Sequence, residues 1–511
     1  MFSLYANLHS AAVYGVDGYI IEVEIDLSNG LPMFDLVGLP DSAVRESKER
    51  VRAAIKNSEY QFPMMRITVN LAPADRKKEG SAFDLAIAVG VMIASGQVSP
   101  ERYQDSVVLG ELSLEGGLRA IPGVLSMVME AKAQGKRKVL LPYQNAREAE
   151  LVSGMEVIPL SHLKDAINYG KGVESTLLNE VAAAEEIIEY LYDDFSDVAG
   201  QYAVKRALEV AASGLHNILL IGPPGSGKTM LARRISSILP KLSKEESLEV
   251  TKIYSIAGQL MDRGSLITKR PFRSPHHTIS QSGLVGGGGI PKPGEVSLAH
   301  NGVLFLDEMP EFTKTALEVL RQPLEDGEVT IGRARAVLTF PSKIMLVGSM
   351  NPCPCGFYGS DEKPCSCMSH QIQRYRSRLS GPLLDRIDIH IEVPRVRYDT
   401  LTDKGARESS SQIQSRVENA REVQTDRFKK EGIHFNGAMT SRHIRKFCKM
   451  TKDAQDLMKA SFEELGLSAR AHDRIIKVAQ TIVDLAGKDQ IDVEEVGEAI
   501  QYRSLDRKYW E

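Results

Sequence analysis

Residues 222–229 read Gly222-Pro223-Pro224-Gly225-Ser226-Gly227-Lys228-Thr229, and no other stretch of the 511-residue chain restricts its fold as much. The apolar run Asn217-Ile218-Leu219-Leu220-Ile221 leads into it, and the helical run Met230-Leu231-Ala232-Arg233-Arg234-Ile235 leads out. The spacing has a chemical reason. Glycines let backbone N–H groups close around α- and β-phosphates, Lys228 reaches the β- and γ-phosphates, and the Thr229 hydroxyl ligates Mg²⁺. All eight residues, Pro223, Pro224 and Ser226 included, form the expected ATP cradle. A chance glycine-rich turn is the alternative, and the strand and helix on either side argue against it.

A chain of this length is too long for one core, so several domains are expected. The net charge of −4 gives no global attraction to nucleic acid or anionic lipid, and any polyanion site must be a local patch. The longest charge-free apolar stretch, Leu85 to Pro100, is short and glycine-interrupted, and the N-terminus lacks a basic-then-apolar signal pattern. A cytoplasmic protein is expected. Residues 1–170 alternate β-rich runs (Gly18 to Leu27, Met65 to Leu71, Val107 to Leu109, Lys138 to Leu141) with helical ones (Ser42 to Asn57, Ser81 to Ala94, Val124 to Gln134), the pattern of a separate α+β domain. Ser81-Ala82-Phe83-Asp84 reads as a capping box that starts the second helix. A polar, acidic linker spans 171–194, a second α/β domain 195–394, and a helical part 395–511.

Gly302-Val303-Leu304-Phe305-Leu306-Asp307-Glu308 is an apolar strand ending in two carboxylates. Beside a phosphate-binding loop, Asp307 suits Mg²⁺ and Glu308 the attacking water, although an acidic helix cap has the same form. A further strand, Lys343 to Ser349, ends at Asn351, whose amide can orient that water or serve only as a turn before Pro352. In Gly381-Pro382-Leu383-Leu384-Asp385-Arg386-Ile387-Asp388, Arg386 suits a finger reaching a neighbour's γ-phosphate. An intrachain pair with Asp385 or Asp388 is the alternative.

This order of loop, acidic strand, Asn strand and arginine resembles the AAA+ superfamily in its magnesium-chelatase-like branch. The match is closer to the YifB/ComM family through Asp197-Val198-Ala199-Gly200-Gln201, Arg273-Ser274-Pro275-His276-His277, Pro293-Gly294-Glu295 and a cysteine cluster. The resemblance covers essentially the whole chain and implies a multidomain α/β protein. Its parts are a Lon-protease-like α+β domain, a P-loop parallel-sheet domain and a C-terminal helical lid. It further implies a homo-oligomeric, hexameric ring, and it makes Arg470 the lid's sensor arginine, with Arg474 one turn later as competitor.

Cys353-Pro354-Cys355 and Cys365-Ser366-Cys367 form two CxC pairs. Four thiolates in one short loop can close a tetrahedral structural Zn²⁺ site, with His370 as a competing ligand and reduced thiols or a redox switch as alternatives. The fifth cysteine, Cys448, reads as a buried apolar residue.

Glu328 to Phe340 reads as a hairpin with Arg333 and Arg335 near its tip, where related motors place a pore loop that tracks DNA phosphates. Arg374 and Arg376, in Gln371-Ile372-Gln373-Arg374-Tyr375-Arg376-Ser377-Arg378, add DNA candidates, with a solvated or intersubunit helix face as the equal alternative. His276 and His277, with Gly286 to Gly289 after them, read as a mobile pore or interface loop rather than a metal pair.

Lys77 to Asp84, Gly110 to Gly116 and Lys138 to Pro142 resemble the proteolytic domain of Lon proteases. The nucleophile position falls on Ala82 and the lysine position on Leu125, so the resemblance implies an inactive module. The leading expectation is an ATP-driven ring motor on branched or single-stranded DNA, similar to ComM-type branch-migration helicases in recombination or natural transformation. Alternatives are a chelatase-like motor remodelling a protein partner and, behind it, a Lon-like protease.

Overall fold

Alternating burial organises the first strands. β1 (Tyr5–Tyr14) and β2 (Asp17–Ser28) join through Gly15-Val16, where Gly15 takes φ +65° and closes a two-residue antiparallel hairpin. With β3 (Met33–Val37), β4 (Arg66–Ala72), β5 (Ser106–Val108), β6 (Lys138–Pro142) and β7 (Glu156–Leu160) they make a seven-stranded mixed sheet, ordered β3-β4-β2-β1-β5-β6-β7. This is the computed structural model's account of residues 4–173, 193–260, 265–288, 291–333, 336–359, 363–396, 398–402, 407–503 and 505. Most of the expected linker, 174–192, lies outside the described residues.

Helix Asp84–Ala94 is buried on every face, as its continuously apolar sequence demands. Gly90 allows its close approach to β2, since a Cβ there would stand 2.0 Å from Ile25 Cδ1. The expected Ser81 capping box is corrected: Phe83 occupies the cap position without a side-chain bond, and the Ser81 hydroxyl donates to Glu111 instead. An ion pair sets the helix start. Arg50 Nε reaches Asp84 Oδ2 at 2.6 Å, and the fully buried carboxylate also accepts from Leu112 N–H at 3.2 Å.

The chain divides into two units, Met1–Ile188 with Lys244–Ile267, and Glu189–Ser243 with Thr268–Glu511. A continuous second domain over 195–394 is therefore interrupted. Helix Lys244–Ile256 belongs to the first unit, where Gly123 N–H donates to Ser255 O at 3.2 Å and the Ser255 hydroxyl donates to buried Glu148.

In the second unit, β8 (Ile218–Ile221), β9 (Phe272–Arg273), β10 (Val303–Leu306), β13 (Met345–Met350) and β14 (Ile389–Glu392) form an all-parallel sheet ordered β9-β10-β13-β8-β14. Every residue of β8, β10 and β13 is buried, as central parallel strands covered on both faces require. The antiparallel hairpin of β11 (Glu328–Arg333) and β12 (Ala336–Pro341) stands apart from that sheet. Helices Ser410–Phe428, Lys452–Glu464, Ala469–Ala486 and Val493–Gln501 follow. Ser409 with Gln412 and Asp492 with Glu495 cap two of them. Val478, Ile482 and Val496 join Ile218 and Val347 in one apolar core, so the helical part is packed onto the sheet. Among the described residues no helix is long and apolar enough to cross a membrane.

Candidate functional site

The parallel sheet brings three strand ends together, because β8 and β10 both pair with β13. Beyond β8, Gly225 at φ +76° and Gly227 at φ +89° turn the chain into helix Lys228–Ile238. These left-handed angles are what only glycine adopts freely. Lys228 Nζ lies 2.8 Å from Gly222 O, 3.0 Å from Pro223 O and 3.1 Å from Asn351 Oδ1. Burial lowers its pKa, against the opposing pull of Asp307 and Glu308.

Thr229 Oγ1 donates to Asp307 Oδ2 at 2.9 Å, joining the two expected Mg²⁺ ligands. The Ser349 hydroxyl, at the end of β13, donates to the other Asp307 oxygen and accepts from Glu308 N–H at 3.2 Å. Glu308 takes φ +51°, which turns its exposed carboxylate out of the strand line. Ser349 was not among the expected site residues; a hydroxyl closing an otherwise apolar run was its signal.

These groups fit Mg-ATP. The buried Ser226 hydroxyl has no hydrogen-bond partner, and Lys228 aims its ammonium only at carbonyl oxygens. An anion bound at a helix N-terminus would meet both. Gln201, at φ +56° in the Asp197–Gln201 motif, donates to Pro394 O at 2.6 Å and Ser226 O at 3.5 Å, tying that motif to the loop.

Arg386 pairs within the chain, but with Glu325 rather than with Asp385 or Asp388 of the alternative reading. Its Nη2 bonds Glu325 and its Nη1 donates to Pro382 O at 2.7 Å, while the buried Nε has no partner. Asn217, at the root of β8, donates to Arg386 O at 2.8 Å and accepts from Leu346 N–H at 2.8 Å. Arg470 is two-thirds exposed, 3.9 Å from Asp385. Arg474 is mostly buried, 3.4 Å from Asp388. Burial pushes the Asp388 carboxyl up, but the His216 hydrogen bond, Arg474 and Lys477 outweigh it and hold it well below the usual carboxylate range. His216, fully buried, bridges Asp388 at 3.1 Å and Thr481 Oγ1 at 2.8 Å, linking sheet to helical part.

The four cysteines converge. Cys353 Sγ lies 3.3 Å from Cys355 Sγ and 3.6 Å from Cys365 Sγ, and all four sulfurs fall within 4.8 Å of one another. Tetrahedral Zn–S bonds of about 2.3 Å would place sulfurs about 3.8 Å apart, so the cluster fits the ion. Backbone N–H groups of Cys355 and Tyr358 point at Cys367 and Cys353 sulfurs, both at 3.3 Å, as they do toward thiolates. His370 is exposed and outside the cluster. Cys448 is mostly buried beside Met439 at 3.8 Å, and burial pushes its thiol up to about 12.

The arginine candidates for DNA separate. Arg333 lies at the end of β11, its side chain outside what is described, and Arg335 lies outside the described residues. Arg374 is exposed. The Arg376 guanidinium donates to Pro352 O at 3.2 Å and stands 4.7 Å from the Tyr358 ring centre. Those bonds hold the cysteine loop. Arg273 clasps Glu295 through two bonds of 2.6 and 2.7 Å, joining two expected motifs, and the His276 and His277 rings lie tilted at 34° with centres 4.1 Å apart. Gly286 and Gly287 pair with Lys292–Pro293, while Gly289 lies outside the described residues.

In the first unit Ala82 and Leu125 both fall in one apolar cluster. Lys78 is buried with its amine on the Pro73 and Arg76 carbonyls, and Ser81 bonds Glu111, so these two do not form a serine–lysine pair.

Comparison with known proteins adds sequence evidence. The model described as magnesium chelatase, subunit ChlI, matches residues 194–401. Two further ChlI models match residues 23–145 and, for the ChlI C-terminal part, 407–503. The competence protein ComM of Haemophilus influenzae is 44% identical over 98% of this chain and 98% of its own length. YifB of Escherichia coli is 43% identical over 98% and 97%. Lon protease 2 of Bacillus subtilis is 32% identical over 27% of this chain and 26% of its own.

Proposed function

The chain belongs to the YifB/ComM family of magnesium-chelatase-like AAA+ proteins, an ATPase motor family, and from that premise we propose that it is an ATP-driven ring motor working on DNA, of the ComM branch-migration type. The observation that carries the ATPase part is the meeting of Lys228, Thr229, Asp307, Ser349 and Asn351 at adjacent strand ends. In this reading Lys228 and the loop N–H groups hold the phosphates, and Glu308 takes the proton of the attacking water. Asn351 and Ser349 fix the lysine and the two acids. Mg²⁺ between Thr229 and Asp307 would neutralise charge gathering on the β,γ-bridge. Arg386 exchanges Glu325 for a neighbouring subunit's γ-phosphate, and Arg470 or Arg474 reports nucleotide state to the lid. Zn²⁺ on the four cysteines is structural.

The DNA part is supported by the full-length likeness to a competence protein and by the hairpin of β11 and β12, whose first strand ends at Arg333. A reading as a chelatase-like motor remodelling a protein is favoured by the family models alone. ATP turnover measured without DNA and with duplex, forked and four-way DNA separates the two. Stimulation by branched DNA that falls steeply with salt is expected, and a rate indifferent to every DNA abandons the DNA reading.

A further inference from the structure

Three contacts tie the cysteine loop to the phosphate-binding loop. Gly356, next after Cys355, takes φ +84°, and a Cβ on it would lie 2.4 Å from Pro224 Cδ and 2.7 Å from Pro224 Cγ. Arg395 Nη2 donates to Pro224 O at 3.0 Å, and its guanidinium stands 5.8 Å from the Phe357 ring centre. Cys353, fully buried, follows Asn351 by two residues, and Asn351 Oδ1 bonds Lys228 Nζ at 3.1 Å. On the other side Arg376 donates to Pro352 O, and the neighbouring Tyr375 is buried.

The segment between Asn351 and Phe357 therefore touches the nucleotide site at both its ends. It contacts the proline of the phosphate loop at one and the lysine's amide partner at the other. Its own apolar anchors are few, since of Cys353, Cys355, Cys365 and Cys367 only Cys353 is fully buried. Four metal–sulfur bonds would supply the order that this packing lacks, and a loop ordered in advance does not spend binding energy on ordering when nucleotide arrives.

We propose that metal binding by Cys353, Cys355, Cys365 and Cys367 sets nucleotide affinity, by holding Gly356 against Pro224 and Asn351 against Lys228. The proposal rests on the reading of the cysteines as a zinc site. Gly356 is then a positioning residue, outside the metal's ligand set yet necessary for its effect.

The test uses the full-length protein under reducing conditions. Zinc is determined by elemental analysis, and the Kd of a fluorescent ADP analogue is measured as purified, after chelation and after zinc is restored. About one zinc per chain is expected, with ADP binding weakened about tenfold on stripping and recovered on reloading. Gly356→Ala keeps its zinc and also weakens ADP binding about tenfold, because the added carbon displaces Pro224. Should the stripped chain unfold in a circular-dichroism melt, the zinc-replete Gly356→Ala protein decides alone. Unchanged ADP affinity in that variant, or in folded stripped protein, overturns the coupling and leaves the zinc reading intact. Absence of bound zinc overturns the zinc reading and the coupling with it.

Discussion

The two units each hold an aspartate at a strand end or helix start, fully buried in the first and half-buried in the second, and they use it differently. Asp84 in the first unit is locked by two bonds from Arg50 and one from Leu112 N–H, which hold a helix in place. Asp307 in the second meets only hydroxyls and its neighbour's N–H, from Thr229, Ser349 and Glu308, groups that can be exchanged for a metal ion and its waters. The same contrast holds for the Lon-like positions. Ala82 and Leu125 sit in an apolar cluster, whereas Lys228 and Asn351 face each other at 3.1 Å. A fold persists on packing alone; chemistry needs polar groups left unspent at strand ends.

Substitutions in the two units should separate these two uses. The largest expected effect is at Arg386: Arg386→Ala in the assembled protein should lower the ATP turnover rate by about 10³-fold or more while leaving ADP binding close to unchanged. Phosphate release and a binding titration check the split, and equal loss of both would place Arg386 in the fold rather than in the reaction. Lys228→Ala should lower turnover by about 10²- to 10³-fold and weaken ADP binding as well. Arg50→Ala strands a buried carboxylate and should cost about 3–5 kcal/mol, read as a lower denaturant midpoint, with the ADP affinity of the still-folded protein unmoved. A loss of ADP affinity without loss of stability would reverse the roles assigned to the two aspartates.

Acid should act on the second unit through Asp388. Its folded pKa is depressed, so its contribution to stability is present above the unfolded pKa and fades as pH falls through the folded one. His216→Ala should cost about 2 kcal/mol at neutral pH and flatten that acid limb. An unaltered acid limb in the variant would remove His216 from the network. Smallest of all, Ser81→Ala should leave ATP turnover within about twofold, since it removes one hydroxyl bonded to Glu111.

Local chemistry explains what the sequence makes legible. Gly222 to Thr229, Asp307 and Asn351 lie at the ends of short apolar runs, and strand, turn and polar residue are read within ten positions of one another. Ser349 is missed because a single hydroxyl in a buried strand looks like tolerated polarity until Asp307 is seen beside it. Contacts between distant segments leave no local trace: Gly356 on Pro224, Asn217 on Arg386 O, and helix Lys244–Ile256 leaving its sequence neighbours for the first unit. β1 is obscured because His9, Ser10 and Ala11 break its alternation, although its partner β2 is plain. The role of Arg376 is ambiguous in the sequence for a related reason. A run of arginines on a helix has the same spacing whether it faces phosphate or, as here, a backbone carbonyl and a tyrosine ring.

The proposed nucleotide site is assembled from two copies of the chain, with Lys228 from one and Arg386 from the next. Mixing Lys228→Ala protein with Arg386→Ala protein tests it most directly, because each is inactive alone while the mixed ring contains intact composite sites. ATP turnover should return to a substantial fraction of the unsubstituted rate on mixing; a mixture as inactive as its two components, in rings shown to exchange subunits, would contradict the shared site.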